Sequence, residues 1–60
     1  MEYRILAYYF IGNLEIHVNE AISAGWSPLG GVSVSRTKDR DGDDAYEFYQ
    51  AMIRARKEAS

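Results

Sequence analysis

The fold is decided by residues 13–26, which read NLEIHVNEAISAGW. Four apolar residues recur there at the spacing of one helical face: Leu14, Val18, Ala21 and Ile22. This periodicity predicts an amphipathic helix over residues 13–24, with Asn13 as its N-terminal cap. Gly25 suits a left-handed helix end, and Trp26 can fold back on the last turn. We expect this helix to cover one face of a sheet formed by the flanking segments.

Upstream of the helix, residues 2–10 read EYRILAYYF and predict the first strand, because aromatic and aliphatic residues are dense and no breaker interrupts them. Alternation divides this strand into one face with Tyr3, Ile5, Ala7 and Tyr9 and another with Arg4, Leu6, Tyr8 and Phe10. Both faces are largely apolar, whereas a strand with a solvent-facing side shows polar residues there. We therefore expect the helix on one face and a second copy of the protein on the other.

The segments after the helix alternate between strand and turn patterns. The predicted elements are a strand at 29–37, an acidic hairpin loop (KDRDGDD) at 38–44, a strand at 45–55 and a polar tail at 56–60. Gly30 and Gly31 indicate a bulge or a close approach of another backbone. Asp41 and Gly42 are typical of the tip of a hairpin turn.

The predicted order is strand, helix, strand, hairpin, strand, which gives a single α+β domain over residues 1–60 with a β-α-β-β topology. A right-handed crossover makes strands one and two parallel, so strand three fits between them in the order 1-3-2. One helix covers one face of three strands and leaves aromatic residues exposed on the other face. The predicted oligomer interface consists of Tyr8, Phe10, Phe48 and Met52.

Composition sets further limits on the class of protein. A 60-residue chain supports one small core, and its 47% hydrophobic content is too high for a disordered chain. Zero cysteines exclude disulfides and thiolate metal sites, which leaves self-association as a source of stability. The net charge of -2 disfavours a globally basic nucleic-acid binder. The longest apolar run, residues 5–11, is too short for a membrane span, so we expect a soluble protein in the cytoplasm of a bacterial host cell.

Catalytic and metal-binding patterns are weak. His17 is the single histidine, so no triad or zinc cluster forms within one chain, and a surface or interface position is expected for it. The acidic loop matches a calcium-binding loop only in part, because Asp44 stands where glycine is needed and Gln50 stands where a bidentate glutamate is needed. The prediction is a protein with no catalytic residue, no metal site and no cofactor.

A ligand-binding surface is a further hypothesis. Polar and aromatic side chains of strands two and three could stack a base and hold a phosphate. The candidate residues are Ser33, Ser35, Arg36, Tyr46, Gln50 and Arg54. The alternative for these residues is packing in the core or in an interface. A basic end at Arg54, Arg56 and Lys57 is interpreted as a solvated tail.

Three motifs resemble a known family. They are YRIL at residues 3–6, LE-x-x-VNEAI-x-x-GW-x-P-x-GGVSVS at 14–35 and FYQAMIR at 48–54. Together they resemble the small bacterial and phage proteins grouped as domain-of-unknown-function family 1737. That family has no established activity, so the resemblance implies no catalytic residue. The chain departs from the family pattern at residues 8–11 and 16–17, where extra apolar surface surrounds the start of the helix.

These observations lead to two functional hypotheses. The first is a non-enzymatic binding protein that works as a homodimer or higher oligomer. Its concrete version, implied by the phage members of the family, is an accessory or anti-defence protein that binds a host factor or sequesters a nucleotide-type signal at a subunit interface. The alternative is a purely structural oligomerisation or assembly module. An enzyme would require a shared active site built from two subunits.

Overall fold

Three strands and one helix make up the computed structural model, which describes residues 1–56. Strand β1 is Glu2–Tyr8, helix α1 is Ile11–Ser23, β2 is Ser27–Lys38 and β3 is Asp44–Arg54. Both outer strands pair antiparallel with β3, which gives the sheet order β1-β3-β2. The predicted α+β class, element order and strand order are confirmed.

The two edges of the sheet differ in length. β1 pairs only with the end of β3, from Glu2 opposite Arg54 to Tyr8 opposite Phe48. Beyond Phe48, β3 pairs with β2 alone, so residues 35–47 form a two-stranded extension that we call the hairpin arm. The molecule is accordingly long, with extents of 51 × 20 × 17 Å.

The helix begins at Ile11 rather than at the predicted cap, and Phe10 is its N-cap. Phe10 has an extended backbone, and its carbonyl accepts the amides of Asn13 and Leu14 at 3.0 and 3.1 Å. Asn13 lies inside the first turn, so its predicted capping role is wrong. Because strand pairing stops at Tyr8, the chain can turn into the helix at once.

The helix end follows the prediction. Gly25 has a φ of +94°, the left-handed region where glycine is favoured. Its amide donates to Ile22 O at 3.0 Å and the Trp26 amide donates to Ala21 O at 2.9 Å, which is the Schellman pattern. Trp26 is 6% exposed and packs in the core beside Ala21 and Met52. This turn delivers the chain directly to β2.

Strand β2 starts earlier than predicted, at Ser27, and therefore includes Pro28. An edge strand tolerates proline because one side of its backbone needs no hydrogen-bond partner. A register shift between Leu29 and Ser33 confirms the predicted bulge at the glycine pair. The hairpin turn is also confirmed, with Gly42 at a φ of +83°.

The core lies between the helix and the sheet face that carries Leu6. Its buried apolar residues are Leu14, Ala21, Trp26 and Met52, with Leu6 and Val18 packed against the last three. Ile22, predicted on the apolar stripe, is 47% exposed. The register also places Tyr8, Phe48 and Met52 on this covered face, so their predicted position on the far side of the sheet is wrong. Both faces of β1 are apolar, and alternation alone could not choose between them.

Candidate functional site

An aromatic cleft opens where the hairpin arm passes the start of the helix. It has a volume of about 540 Å³ and is lined by Tyr9, Phe10, Asp39, Asp44, Ala45, Tyr46 and Phe48. Tyr9, Phe10 and Tyr46 are 56%, 70% and 53% exposed, respectively. Four rings from two separate segments therefore converge on one solvent-accessible space. We use the name aromatic cleft for this space throughout.

The register of β1 explains why these rings meet. Tyr8 pairs with Phe48, so the next two residues of the chain, Tyr9 and Phe10, run beside the part of β3 that precedes Phe48. Tyr46 shares the helix-side face with Phe48, because side chains two residues apart lie on the same face of a strand. The turn between β1 and the helix supplies one wall of the cleft, and the hairpin arm supplies the other.

A second hollow adjoins the aromatic cleft. It has a volume of about 450 Å³ and is lined by Tyr9, Lys38, Asp39 and Arg40. Tyr9 and Asp39 line both spaces, so the two are neighbours that share these residues. We call the second space the basic hollow, since it adds a lysine and an arginine to the aromatic surface.

Ion pairs fix the charges at the rim of the cleft. Arg36 Nη2 lies 2.6 Å from Asp44 Oδ2, and Lys38 Nζ lies 2.8 Å from Asp44 Oδ1. Lys38 and Arg36, in that order, lower the pKa of Asp44 from its usual 3.8. Asp44 is therefore ionised near neutral pH and holds two cations on the helix side of the arm.

The acidic loop is accounted for by its turn. Asp39 Oδ1 accepts the amides of Asp41 and Asp43 at 3.0 and 2.9 Å. The Gly42 amide donates to Asp39 O at 3.1 Å. Carboxylate oxygens of Asp39, Asp41 and Asp43 lie within 4.8 Å of one another, and all three residues are exposed. Hydrogen bonding of the backbone explains the choice of Asp39 without a bound cation.

The six predicted ligand-binding residues do not form one surface. Arg36 lies opposite Tyr46, which lines the aromatic cleft, whereas the register turns Ser33 and Ser35 to the opposite sheet face. Ser35 instead neighbours Glu47, whose Oε1 accepts the Tyr49 hydroxyl at 2.6 Å.

The hydrogen bond from the Tyr49 hydroxyl to Glu47, followed by burial, raises the pKa of Tyr49 from its usual 10.0. Because Ser33 and Ser35 lie on the sheet face opposite Tyr46, the predicted grouping of these serines with Tyr46 is wrong.

Gln50 and Arg54 have structural partners. Gln50 is 4% exposed, and its Nε2 lies 3.3 and 3.2 Å from the carbonyl oxygens of Leu29 and Gly30, inside the bulge. Arg54 donates to Glu2 and stacks over Trp26, with Cζ 4.4 Å from the ring centroid. Arg54 lies eight residues along β3 from Tyr46, about 26 Å away. Neither residue reaches the aromatic cleft.

His17 lies on the half-exposed side of the helix. Its ring stacks on Tyr8 with centroids 4.4 Å apart, and its Nδ1 lies 3.7 Å from Glu20 Oε2. These contacts place it at the surface beside β1, in the position that the sequence predicted. The stacking on Tyr8 joins the helix to the first strand.

Two predicted interface residues, Phe10 and Phe48, line the aromatic cleft. Sequence reasoning missed Tyr9, Lys38 and Arg40 as candidate site residues. The sequence pattern places Tyr9 on a strand face and the two basic residues within an acidic loop. The usable signal was the aromatic run YYF directly before the helix, because residues that end a strand lie next to the neighbouring hairpin.

Comparisons with protein-family models, with curated proteins and with solved structures find no match to this chain. The resemblance to family 1737 stays a prediction. Within residues 1–56, no helix combines the length and the apolar character that crossing a membrane requires.

Proposed function

We propose that the protein is a non-enzymatic, self-associating binding protein whose aromatic cleft holds a planar, anionic small molecule of nucleotide type. The observation that carries this proposal is that the aromatic cleft and the basic hollow lie side by side and share Tyr9 and Asp39. A base and its phosphate present the same pairing of an apolar plane and an anion. The resemblance to phage proteins adds the version in which the ligand is a host signal that is sequestered.

The rings supply the apolar half of the recognition. Stacking of a base on an aromatic side chain contributes about 1 to 3 kcal/mol per base. Tyr46 and Phe10 come from opposite walls of the cleft and are both more than half exposed. A planar ligand between the walls would bury ring surface that otherwise contacts water.

The cations supply the charged half. Lys38 and Arg40 line the basic hollow, and Arg36 pairs with Tyr46 across the hairpin. Asp44 engages Arg36 and Lys38 in the free protein, so an incoming phosphate competes with this carboxylate. Replacing Asp44 with asparagine should free both cations and raise the affinity for an anion several-fold.

Calorimetry with a panel of mono-, di- and cyclic nucleotides tests the proposal, with the matching nucleosides and inorganic phosphate as controls. Tyr46→Ala should weaken binding at least about tenfold through loss of stacking. Ile16→Ala, at an apolar residue of the helix that is 56% exposed, should leave it unchanged. Binding that survives Tyr46→Ala, or an empty panel, would overturn the ligand assignment.

A structural oligomerisation module is the second candidate function, and the uncovered sheet face favours it. Tyr3 and Ile5 on that face are 61% and 56% exposed. A protein that oligomerises but binds none of the panel would support this candidate. Binding of a host factor is a further version of the first proposal, for which Tyr46→Ala should abolish complex formation with the isolated factor.

A further inference from the structure

Another hollow lies between strand β1 and the helix. It has a volume of about 280 Å³. Arg4 lines it from the strand, His17 and Glu20 line it from the helix, and Trp26 also contributes to its wall. Within residues 1–56 it shares no lining residue with the aromatic cleft. We call this space the strand–helix hollow.

The ring of Trp26 carries two guanidinium groups. Arg54 Cζ lies 4.4 Å and Arg4 Cζ lies 5.0 Å from the ring centroid. Arg54 donates from Nη2 to both carboxylate oxygens of Glu2, at 3.0 and 3.1 Å. A guanidinium stacked on an aromatic ring keeps its planar fork of donors available for a carboxylate, and Arg54 shows this arrangement in its complete form.

Arg4 shows the same arrangement without a carboxylate. Among residues 1–56, no acidic side chain forms an ion pair with Arg4 within 4.0 Å. The other cations of the three strands, Arg36, Lys38 and Arg54, each have such a pair. Arg4 is also exposed, so its donors are accessible to a carboxylate from solution, which guanidinium binds with charge-assisted hydrogen bonds.

Glu20 supplies the opposite charge from the helix. Its side chain is 68% exposed, and its Oε2 lies 3.7 Å from His17 Nδ1, a long pair that is charged only when the imidazole is protonated. Arg4 and Glu20 thus line one space from two elements without pairing with each other. Like charges brought together are strongly unfavourable. A simple anion would meet Glu20 and a simple cation would meet Arg4, whereas a ligand with both charges complements both residues.

Size and lining restrict this ligand further. Small-molecule sites commonly span about 300 to 1,000 Å³, so the strand–helix hollow is at the lower end of that range and is smaller than the aromatic cleft. Leu6, Tyr8 and Ala21 add apolar surface to its wall. A free amino acid with a small apolar side chain combines the two charges with this size.

We propose that the strand–helix hollow binds a small zwitterion of the amino-acid class, with its carboxylate on Arg4 and its ammonium on Glu20. The site is separate from the proposed nucleotide site and does not depend on it. Stacking on Trp26 holds the Arg4 guanidinium in place before the ligand arrives, which reduces the side-chain entropy lost on binding.

Calorimetry of the full chain with glycine, L-valine and γ-aminobutyrate tests the proposal. Each probe is compared with its N-acetyl derivative, which lacks the ammonium, and with its carboxamide, which lacks the carboxylate. Each derivative should bind at least about tenfold more weakly than its parent, because one charge-assisted contact is lost. The fluorescence of Trp26, the single tryptophan, should change with the same dissociation constant, since Arg4 covers its ring.

Two substitutions assign the charges of the ligand. Arg4→Gln should weaken zwitterion binding at least about tenfold and should no longer distinguish the zwitterion from its carboxamide. Glu20→Gln should weaken binding to a similar extent and should no longer distinguish the zwitterion from its N-acetyl derivative. Arg56→Gln and Glu15→Gln are the matched controls, at exposed residues that do not line the hollow, and they should leave the affinity unchanged. Circular dichroism verifies that all four variants are folded.

Three results would overturn the proposal. The first is that none of the three probes binds to the wild type. The second is that acetate binds as tightly as the zwitterions, which would show an anion site in which Glu20 has no role. The third is an Arg4→Gln variant that discriminates against the carboxamide as strongly as wild type does, which would place the carboxylate elsewhere. Nucleotide binding at the aromatic cleft is measured separately, and neither result decides the other.

Discussion

Arg54 lies opposite Glu2 in the strand pair, and its Nη2 donates to both carboxylate oxygens of Glu2 at 3.0 and 3.1 Å. The same guanidinium covers the ring of Trp26, and its Nη1 lies 3.4 Å from Ala24 O at the helix end. One side chain thus connects the first strand, the last strand and the helix terminus.

Arg54→Met should destabilise the protein by about 2 kcal/mol, because it removes a charge-assisted pair and a cation–π contact but keeps the aliphatic stem. Urea unfolding measures the change. Arg36→Met is the control: its pair with Asp44 is more exposed, so the loss should stay under about 1 kcal/mol. Equal losses for the two variants would contradict the joining role of Arg54.

Gln50→Leu should destabilise the fold by about 1 to 3 kcal/mol, because carbonyl groups in the bulge lose their donor while the site stays buried. The affected carbonyls belong to Leu29 and Gly30. Asn19→Leu, at an exposed helix position, should change stability by no more than about 0.5 kcal/mol. An unaffected urea midpoint for Gln50→Leu would show that the bulge does not need this side chain.

Two glycine substitutions should have opposite signs. Gly25→Ala should cost about 1 to 2 kcal/mol, since φ is +94° there; among residues 1–56 the added Cβ meets only Arg54 Cδ, at 3.7 Å. Gly12→Ala, inside the helix with no described residue within 4 Å of the new Cβ, should gain about 0.5 to 1 kcal/mol. Thermal unfolding of the pair checks both, and a stabilising Gly25→Ala would rule out the left-handed helix end.

The ion pairs of Asp44 make stability depend on pH. Because Lys38 and Arg36 lower the pKa of the folded carboxyl below 3.8, their stabilisation is present above the unfolded pKa and is lost as pH falls through the folded one. Asp44→Asn should therefore be less stable than wild type near neutral pH, and the two proteins should converge in acid. A difference in unfolding free energy between the two proteins that stays the same at all pH values would argue against these pairs.

Local sequence signals predicted most of the fold. The periodic stripe and the Gly25–Trp26 pair located the helix end, and Asp41–Gly42 located the turn. Strand order followed from chain connectivity and crossover handedness. These features depend on residues close together in the chain.

The candidate site was less predictable because it depends on register. Two apolar faces do not show which side of β1 faces the helix, so the predicted side for Tyr8 and Met52 is wrong. A glutamine in a strand pattern predicts a surface position, and the burial of Gln50 follows only from the bulge opposite it, whose carbonyls it binds. Arg36 and Tyr46 pair across the hairpin, and their proximity is predictable because facing strands of a hairpin fix it; their role in ligand binding stays a prediction.

The two walls of the aromatic cleft differ in local stability, because the hairpin arm forms one of them. Beyond Phe48 the arm has two strands and no third strand beside it in residues 1–56, and an isolated hairpin is only marginally stable. The arm should unfold locally without global unfolding, so the amide hydrogens of residues 44–47 should exchange with solvent faster than those of residues 48–54. A ligand that contacts both walls would stabilise the arm against local unfolding, and slower hydrogen exchange in the arm would report its binding.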